Sequence, residues 1–208
     1  MTLQFKIYRD LYGIHGRFSL GNINLHTKLF KNYDLAHTIG IRNNCCGMRL
    51  IFIDWDETKL DFIMDEVKYL QERFFLSDFY IFKGSQKLGS FHAICLDKLQ
   101  YKEFMQAMDY TSADNYYKTM PQSTDKNAWV LRSEAKAGSN KPELIKIIKS
   151  PHQFRQKSLA HYLYLLHNYG IKRKNLKNLD NNTKLYILRY GTLNYIDVKK
   201  EAKNVSIK

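Results

Sequence analysis

Arg49-Leu-Ile-Phe-Ile-Asp54 is an unbroken apolar run that ends in an acid, and Trp55 and Asp56 follow at once. A short apolar run bounded by charge reads as a buried strand. Downstream, Leu60, Ile63, Val67, Leu70 and Phe74 recur at spacings of three and four. That is one face of a helix, predicted over 57–75. Asp78-Phe-Tyr-Ile-Phe-Lys83 reads as a second strand, residues 84–89 as a hairpin turn rich in small residues, and Ser90-Phe-His-Ala-Ile-Cys-Leu96 as a third strand. Leu99, Phe104, Ala107 and Met108 mark a second helix over 99–110, and Ala128-Trp-Val-Leu-Arg-Ser133 a fourth strand.

The order strand, helix, strand, strand, helix, strand is the split βαβ pattern of an α+β, RRM- or ferredoxin-like βαββαβ core. Such a core places the first strand between the third and the fourth. Upstream, residues 1–48 carry Gly13, Gly16, Gly21, Gly40 and Gly47 and read as a small, irregular N-terminal module of short strands and turns. Beyond Pro151, Leu159, Tyr162, Leu163, Leu165 and Leu166 predict a helix over 152–168 with Gly170 as its stop, and Leu185-Tyr-Ile-Leu188 a second short helical piece. The expected division is a domain over 1–150, with its core at 45–140, and a basic helical appendage over 151–208.

Charge follows that division. Residues 151–208 carry 12 Lys and Arg against 3 Asp and Glu, and residues 1–150 carry 21 against 17, so the last quarter supplies +9 of the formal +13. A basic block interleaved with aromatics favours a polyanion such as nucleic acid, because each neutralised phosphate releases counterions. The three cysteines, Cys45, Cys46 and Cys95, have neither a disulfide framework nor paired C-x-x-C spacing, and read as reduced thiols. No apolar run is long enough to span a bilayer and the N-terminus lacks a signal-peptide layout, so the expected location is cytoplasmic with no membrane partner.

The chemistry-bearing residues fall on the strands. Asp54 and Asp56 stand two apart at the end of the first strand, a spacing that shares one face. Paired carboxylates suit a hard cation such as Mg²⁺, though a lone D-x-D also occurs as solvated acids. Ser90 and His92 repeat the spacing on the third strand, which the fold places beside the first. Asp114, after the second helix, reads either as a third carboxylate of the cluster or as an ordinary helix cap. Arg132 and Lys136 offer positive charge near the last strand, or mere surface charge.

Ile51-Phe-Ile-Asp54-Trp-Asp56, Ser90-Phe-His92 and Ala113-Asp114 together resemble the three motifs of the archaeo-eukaryotic primase superfamily, which includes plasmid and viral replication primases and primase-polymerases. Residues 84–93 resemble that family's approach to its S-x-H motif, and residues 131–138 its basic segment; the likeness spans about residues 45–140. The chain departs from some relatives in having Leu88 two positions before Ser90, with Lys87 and Lys83 as the nearby lysines. The resemblance implies a palm-type catalytic core and a DNA primase or primase-polymerase, a nucleotidyltransferase that builds primers from NTPs or dNTPs on a single-stranded DNA template. It implies Mg²⁺ or Mn²⁺ in a two-metal site on Asp54, Asp56 and Asp114. Nucleotide phosphates would lie on Ser90, His92, Arg132, Lys136 and Lys87. A helicase or other replication subunit would come from another chain, since no Walker A motif is present, and a viral or plasmid origin would place the protein in the host cytoplasm.

Three other readings compete. An RNA-recognition-type module would stack bases on sheet aromatics such as Phe91. A rolling-circle endonuclease would resemble a pair of histidines one residue apart, a spacing that none of the seven histidines has. An accessory replication-initiation protein would bind DNA or a replication partner without catalysis.

Overall fold

The structure, a computed structural model, describes residues 3–10, 13–20, 23–30, 40–84, 89–123, 128–134, 140–171, 176–189 and 192–205. Strands β1 (Leu3–Asp10), β2 (Gly13–Leu20) and β3 (Ile23–Phe30) form an antiparallel sheet in sequence order, with Leu3 opposite Leu20 and Gly13 opposite Phe30. The strands expected in the N-terminal module are therefore present and more regular than expected, as a meander over the described residues of 3–30.

The decisive run forms β6 (Met48–Trp55), preceded by β4 (Gly40–Arg42) and β5 (Asn44–Cys45). Leu50 to Ile53 are wholly buried. Each such side chain contributes roughly 1.5–3 kcal/mol by leaving water. After β6 come α1 (Leu60–Phe74), β7 (Phe79–Lys83) and β8 (Phe91–Leu99). α1 buries Ile63, Val67 and Leu70, the stripe that the spacing predicts. β6 and β7 both run antiparallel to β8, so they are parallel to each other and α1 is their crossover. The first and third strands of the predicted core thus lie side by side.

The fourth strand does not join them. After α2 (Tyr101–Asp109) and α3 (Asn115–Ser123), β9 (Val130–Arg132) pairs with β4 in a second sheet. The edge of β6 is taken instead by β5, folded back through the two-residue turn Cys46-Gly47, and β10 (Glu143–Ile148) closes the other side in the order β10-β7-β8-β6-β5. Local hairpin closure wins over a partner some 80 residues away because it fixes a much shorter loop. Buried Asn43 fastens the two sheets: its side chain donates to Leu50 O at 2.9 Å and accepts from Trp129 N at 3.0 Å. Gly40 is needed at the β4–β9 contact, where a Cβ would stand 2.4 Å from Val130 Cγ1 and 2.8 Å from Leu131 O.

The last quarter of the chain is not a helical appendage. α4 (Leu159–Tyr169) is a core helix, capped by Ser158 and ended by Gly170 at φ 60°, and it buries Ala160, His161, Tyr162, Tyr164 and Leu165. It begins later than 152 because residues 156–158 run extended along β8, with Lys98 N bonded to Gln156 O and Ser158 N to Leu96 O. Leu185-Tyr-Ile-Leu188 lies in strand β11 (Lys184–Arg189), where Leu185 and Ile187 are buried in alternation. β11 pairs with β12 (Thr192–Asp197) and, through Ile187 and Leu188, with β4; α5 (Val198–Val205) follows. Among the described residues no helix is long and apolar enough to cross a membrane.

Candidate active site

Antiparallel pairing of β6 with β8 sets Asp54 directly opposite His92. His92 Nε2 lies 3.1 Å from Asp54 Oδ1, with the imidazole buried and the carboxylate about one-third exposed. The contact has ion-pair distance without hydrogen-bond alignment, so this buried oxygen accepts no hydrogen bond. A buried acceptor left in that state is costly and is suited to a cation.

Asp114 meets the same strand end through its backbone, donating from N to Asp54 O at 3.0 Å. Its Oδ1 accepts from Tyr117 N at 2.8 Å, so Asp114 is also the N-cap of α3. The helix-cap reading of this residue holds, with one carboxylate oxygen committed to the helix, and its backbone stands beside Asp54. The approach to Asp114 is held by Glu66 of α1, which accepts from Trp55 Nε1 at 3.0 Å and from Ser112 N at 2.9 Å. One carboxylate therefore ties the strand end to the loop that delivers Asp114. Tyr117 sits below, with a buried hydroxyl that has no hydrogen-bond partner. Burial, and then the charge of Asp54, push that hydroxyl well above the usual tyrosine range. Neither Glu66 nor Tyr117 carries a sequence signal beyond its place on a helix.

Other predicted residues are less closely gathered. β6 ends at Trp55, so Asp56 lies in the following bend, exposed, and the shared-face argument stops one residue short of it. Glu57 then turns the chain at φ 58°. Ser90 is buried just before β8, one residue short of the strand on which the spacing places it, its carbonyl accepting from Gly84 N at 2.8 Å. Gly84 has no room for a Cβ, which would stand 2.5 Å from Ser90 Oγ, and Gly89, at φ 83°, is pressed against the Thr58 backbone. Two glycines thus pack the Ser90 turn against β7 and the entry to α1. Lys83 is exposed at the end of β7, opposite Phe91. Arg132 lies half-buried in the second sheet, opposite Gly40. Lys87 and Lys136 fall outside the described residues.

Asp54, Asp56 and Asp114 are not drawn together as tightly as a metal-bound trio. Among the described residues, the group of three ligand-bearing side chains whose atoms all lie within 4.8 Å of one another is Cys45, Cys46 and Asp180. The donor chemistry at Asp54 still fits a hard divalent ion: oxygen ligands, one of them buried and without a donor, at an open strand end. In comparisons with known proteins, no family model matches this chain, and neither does any curated protein or solved structure.

Proposed function

We propose that this protein is a metal-dependent nucleotidyltransferase of the primase or primase-polymerase type, working on single-stranded DNA from the Asp54 strand end. The observation that carries the reading is the Asp54–His92 pair, opposed across two strands, with Asp114 bonded to the same strand end. Asp54 and Asp114, with Asp56 swinging in from the bend, would hold Mg²⁺ or Mn²⁺. When bound, such ions lower the barrier to attack by a 3′-hydroxyl and offset the charge of the leaving pyrophosphate. His92 and Ser90 would grip the nucleotide phosphates from the neighbouring strand, and His92, held against Asp54, keeps its imidazole aimed at the same place. Glu66 is a positioning residue: it fixes Trp55, between the two acids, and the loop that bears Asp114.

A DNA-binding accessory protein without catalysis is the second reading. It is favoured by the exposed, off-strand position of Asp56 and by the use of Asp114 Oδ1 as a helix cap. An RNA-recognition surface is not favoured. Phe91 is buried, and no aromatic among the described residues of the five-stranded sheet is exposed.

The test is incorporation of labelled NTPs and dNTPs on single-stranded DNA, with and without a primer, in Mg²⁺ or Mn²⁺. We expect template-dependent product, reduced at least about 10²-fold in Asp54→Asn, the scale of losing one transition-state charge stabiliser. Absence of product in every lane, with DNA binding intact in both proteins, would shift the assignment to the accessory role.

A further inference from the structure

At the opposite end of β6 a second cluster has no part in the reading above. Cys45 ends β5, Cys46 and Gly47 form the turn, and Asp180 arrives from the C-terminal quarter. Cys45 Sγ donates to Asp180 Oδ2 at 3.5 Å, and Asn182 Nδ2 donates to the same sulfur at 3.7 Å. The other carboxylate oxygen, Oδ1, accepts from Leu159 N at 3.0 Å and Asn182 N at 3.1 Å, so the carboxylate cannot swing. Lys98 Nζ stands 3.2 Å from Oδ2 and also donates to Gln156 Oε1 at 3.0 Å.

The turn adds an independent sign. Cys46 has φ 50° and Gly47 φ 78°, the conformation of a two-residue hairpin turn with both central residues left-handed. Asparagine or glycine ordinarily fills the first of these positions, because a Cβ there is strained. Here that position holds a cysteine, exposed at the surface, whose sulfur lies within 4.8 Å of Cys45 Sγ and an Asp180 oxygen. Backbone strain at a residue with a ligand side chain is the pattern expected of a built site.

We propose that Cys45, Cys46 and Asp180 form a binding site for a thiophilic divalent cation of the Zn²⁺ class. Two sulfurs and one carboxylate are a soft-to-borderline donor set that selects Zn²⁺ over Mg²⁺. Binding releases one proton from each thiol. The proton in the Cys45 Sγ to Asp180 Oδ2 hydrogen bond would be the one lost from Cys45, leaving both atoms free to act as ligands. Two thiolates, one carboxylate, the dication and the Lys98 ammonium then sum to zero charge, so Lys98 balances the site instead of competing with it. The hydrogen bonds from Leu159 and Asn182 and the ion pair with Lys98 serve as the outer shell that fixes the carboxylate. Cys46 is exposed, so solvent reaches the cluster from that side.

The experiment uses the full chain, reduced and freed of metal, titrated with Co²⁺ or Cd²⁺ while thiolate-to-metal charge-transfer absorption is followed, with Zn²⁺ added to displace the probe. We expect one equivalent bound with a thiolate band that Zn²⁺ removes. Cys46→Ser, at an exposed turn that leaves the far-UV circular dichroism unchanged, should weaken binding by more than about tenfold, since even outer-shell partners contribute about 10–100-fold. Asp180→Asn, which keeps an oxygen for the two backbone donors, should weaken binding but retain the band. The assignment is overturned by the absence of any thiolate band in folded protein, by a band that survives Cys46→Ser at full affinity, or by undiminished affinity in Asp180→Asn.

Discussion

The two ends of β6 carry candidate sites that are put together in different ways. At the Trp55 end, Asp54 faces His92 from the adjacent strand, and both residues belong to spacings that can be read along the chain. At the Met48 end, Cys45 gains its carboxylate partner from 135 residues away, across the boundary at which the charge pattern divides the chain. The first site is a matter of register, because a predicted strand pair fixes which side chains stand opposite each other. The second depends on loop geometry and on the docking of α4, which no periodicity encodes.

The sharpest way to break the comparison is to cut the strand that both ends share. Phe52 lies midway along β6, wholly buried, with its ring edge-on to His161 at 5.7 Å. Phe52→Ala should cost about 3–5 kcal/mol in denaturant unfolding. The transition should remain single, with Trp55 and Trp129 fluorescence and far-UV circular dichroism changing together. Two separated transitions would mean that the C-terminal elements and the sheet fold as distinct units, and that the two ends do not depend on one strand.

What the chain reveals in advance follows the same division. The run β6-α1-β7-β8-α2 is legible because each element is long and periodic, or is bounded by turn residues. The place of β9 is not, since the pattern that predicts a strand does not say which edge it takes, and the Asn43 clasp has no sequence signature. Leu185-Tyr-Ile-Leu188 is too short to show a period by itself; its β-branched and aromatic content is the signal that outweighs the helical reading. At the candidate site, Asp54, Ser90, His92 and Asp114 are readable as motif residues. Glu66 and Tyr117 are hidden because their roles come from what α1 and α3 turn toward the strand end.

Acid offers a second way to separate the ends. His161 is buried in α4; its Nε2 donates to Arg42 O at 2.8 Å while Nδ1 lies 2.7 Å from Ser158 Oγ. Burial lowers its proton affinity to about 4, against about 6.5 in an unfolded chain. Between those values the unfolded chain binds the extra proton. Stability is therefore complete above about pH 6.5 and falls as pH drops toward about 4, by roughly 3 kcal/mol. Unfolding midpoints measured at pH 7.5, 5.5 and 4.5 should show this slope, and His161→Gln should flatten it. Because Ser158, beside His161, starts the helix whose Leu159 N holds Asp180, metal binding at the cysteines should weaken in acid along with the fold. A slope that survives in His161→Gln would assign the acid sensitivity to other groups.

The smallest effect concerns Tyr117, and its sign is informative. A buried hydroxyl without a partner destabilises the folded chain, so Tyr117→Phe should raise unfolding stability by about 1 kcal/mol. Such a group is unfavourable in the resting protein, yet it lies close enough to Asp54 to feel its charge. If the hydroxyl finds its partner only when nucleotide and cation occupy the strand end, removing it should lower incorporation by less than about tenfold, the scale of one neutral hydrogen bond, while the protein becomes more stable. Gain in stability with loss of activity would identify Tyr117 as a positioning residue of the Asp54 end. Activity equal to the parent would make it a packing tyrosine under α3. Metal affinity at Cys45, Cys46 and Asp180 should stay unchanged in this variant, because the groups that hold Asp180 come from Leu159, Asn182 and Lys98, none of them in α3. A shift there would show that the two ends communicate through β6 and cannot be treated as separate sites.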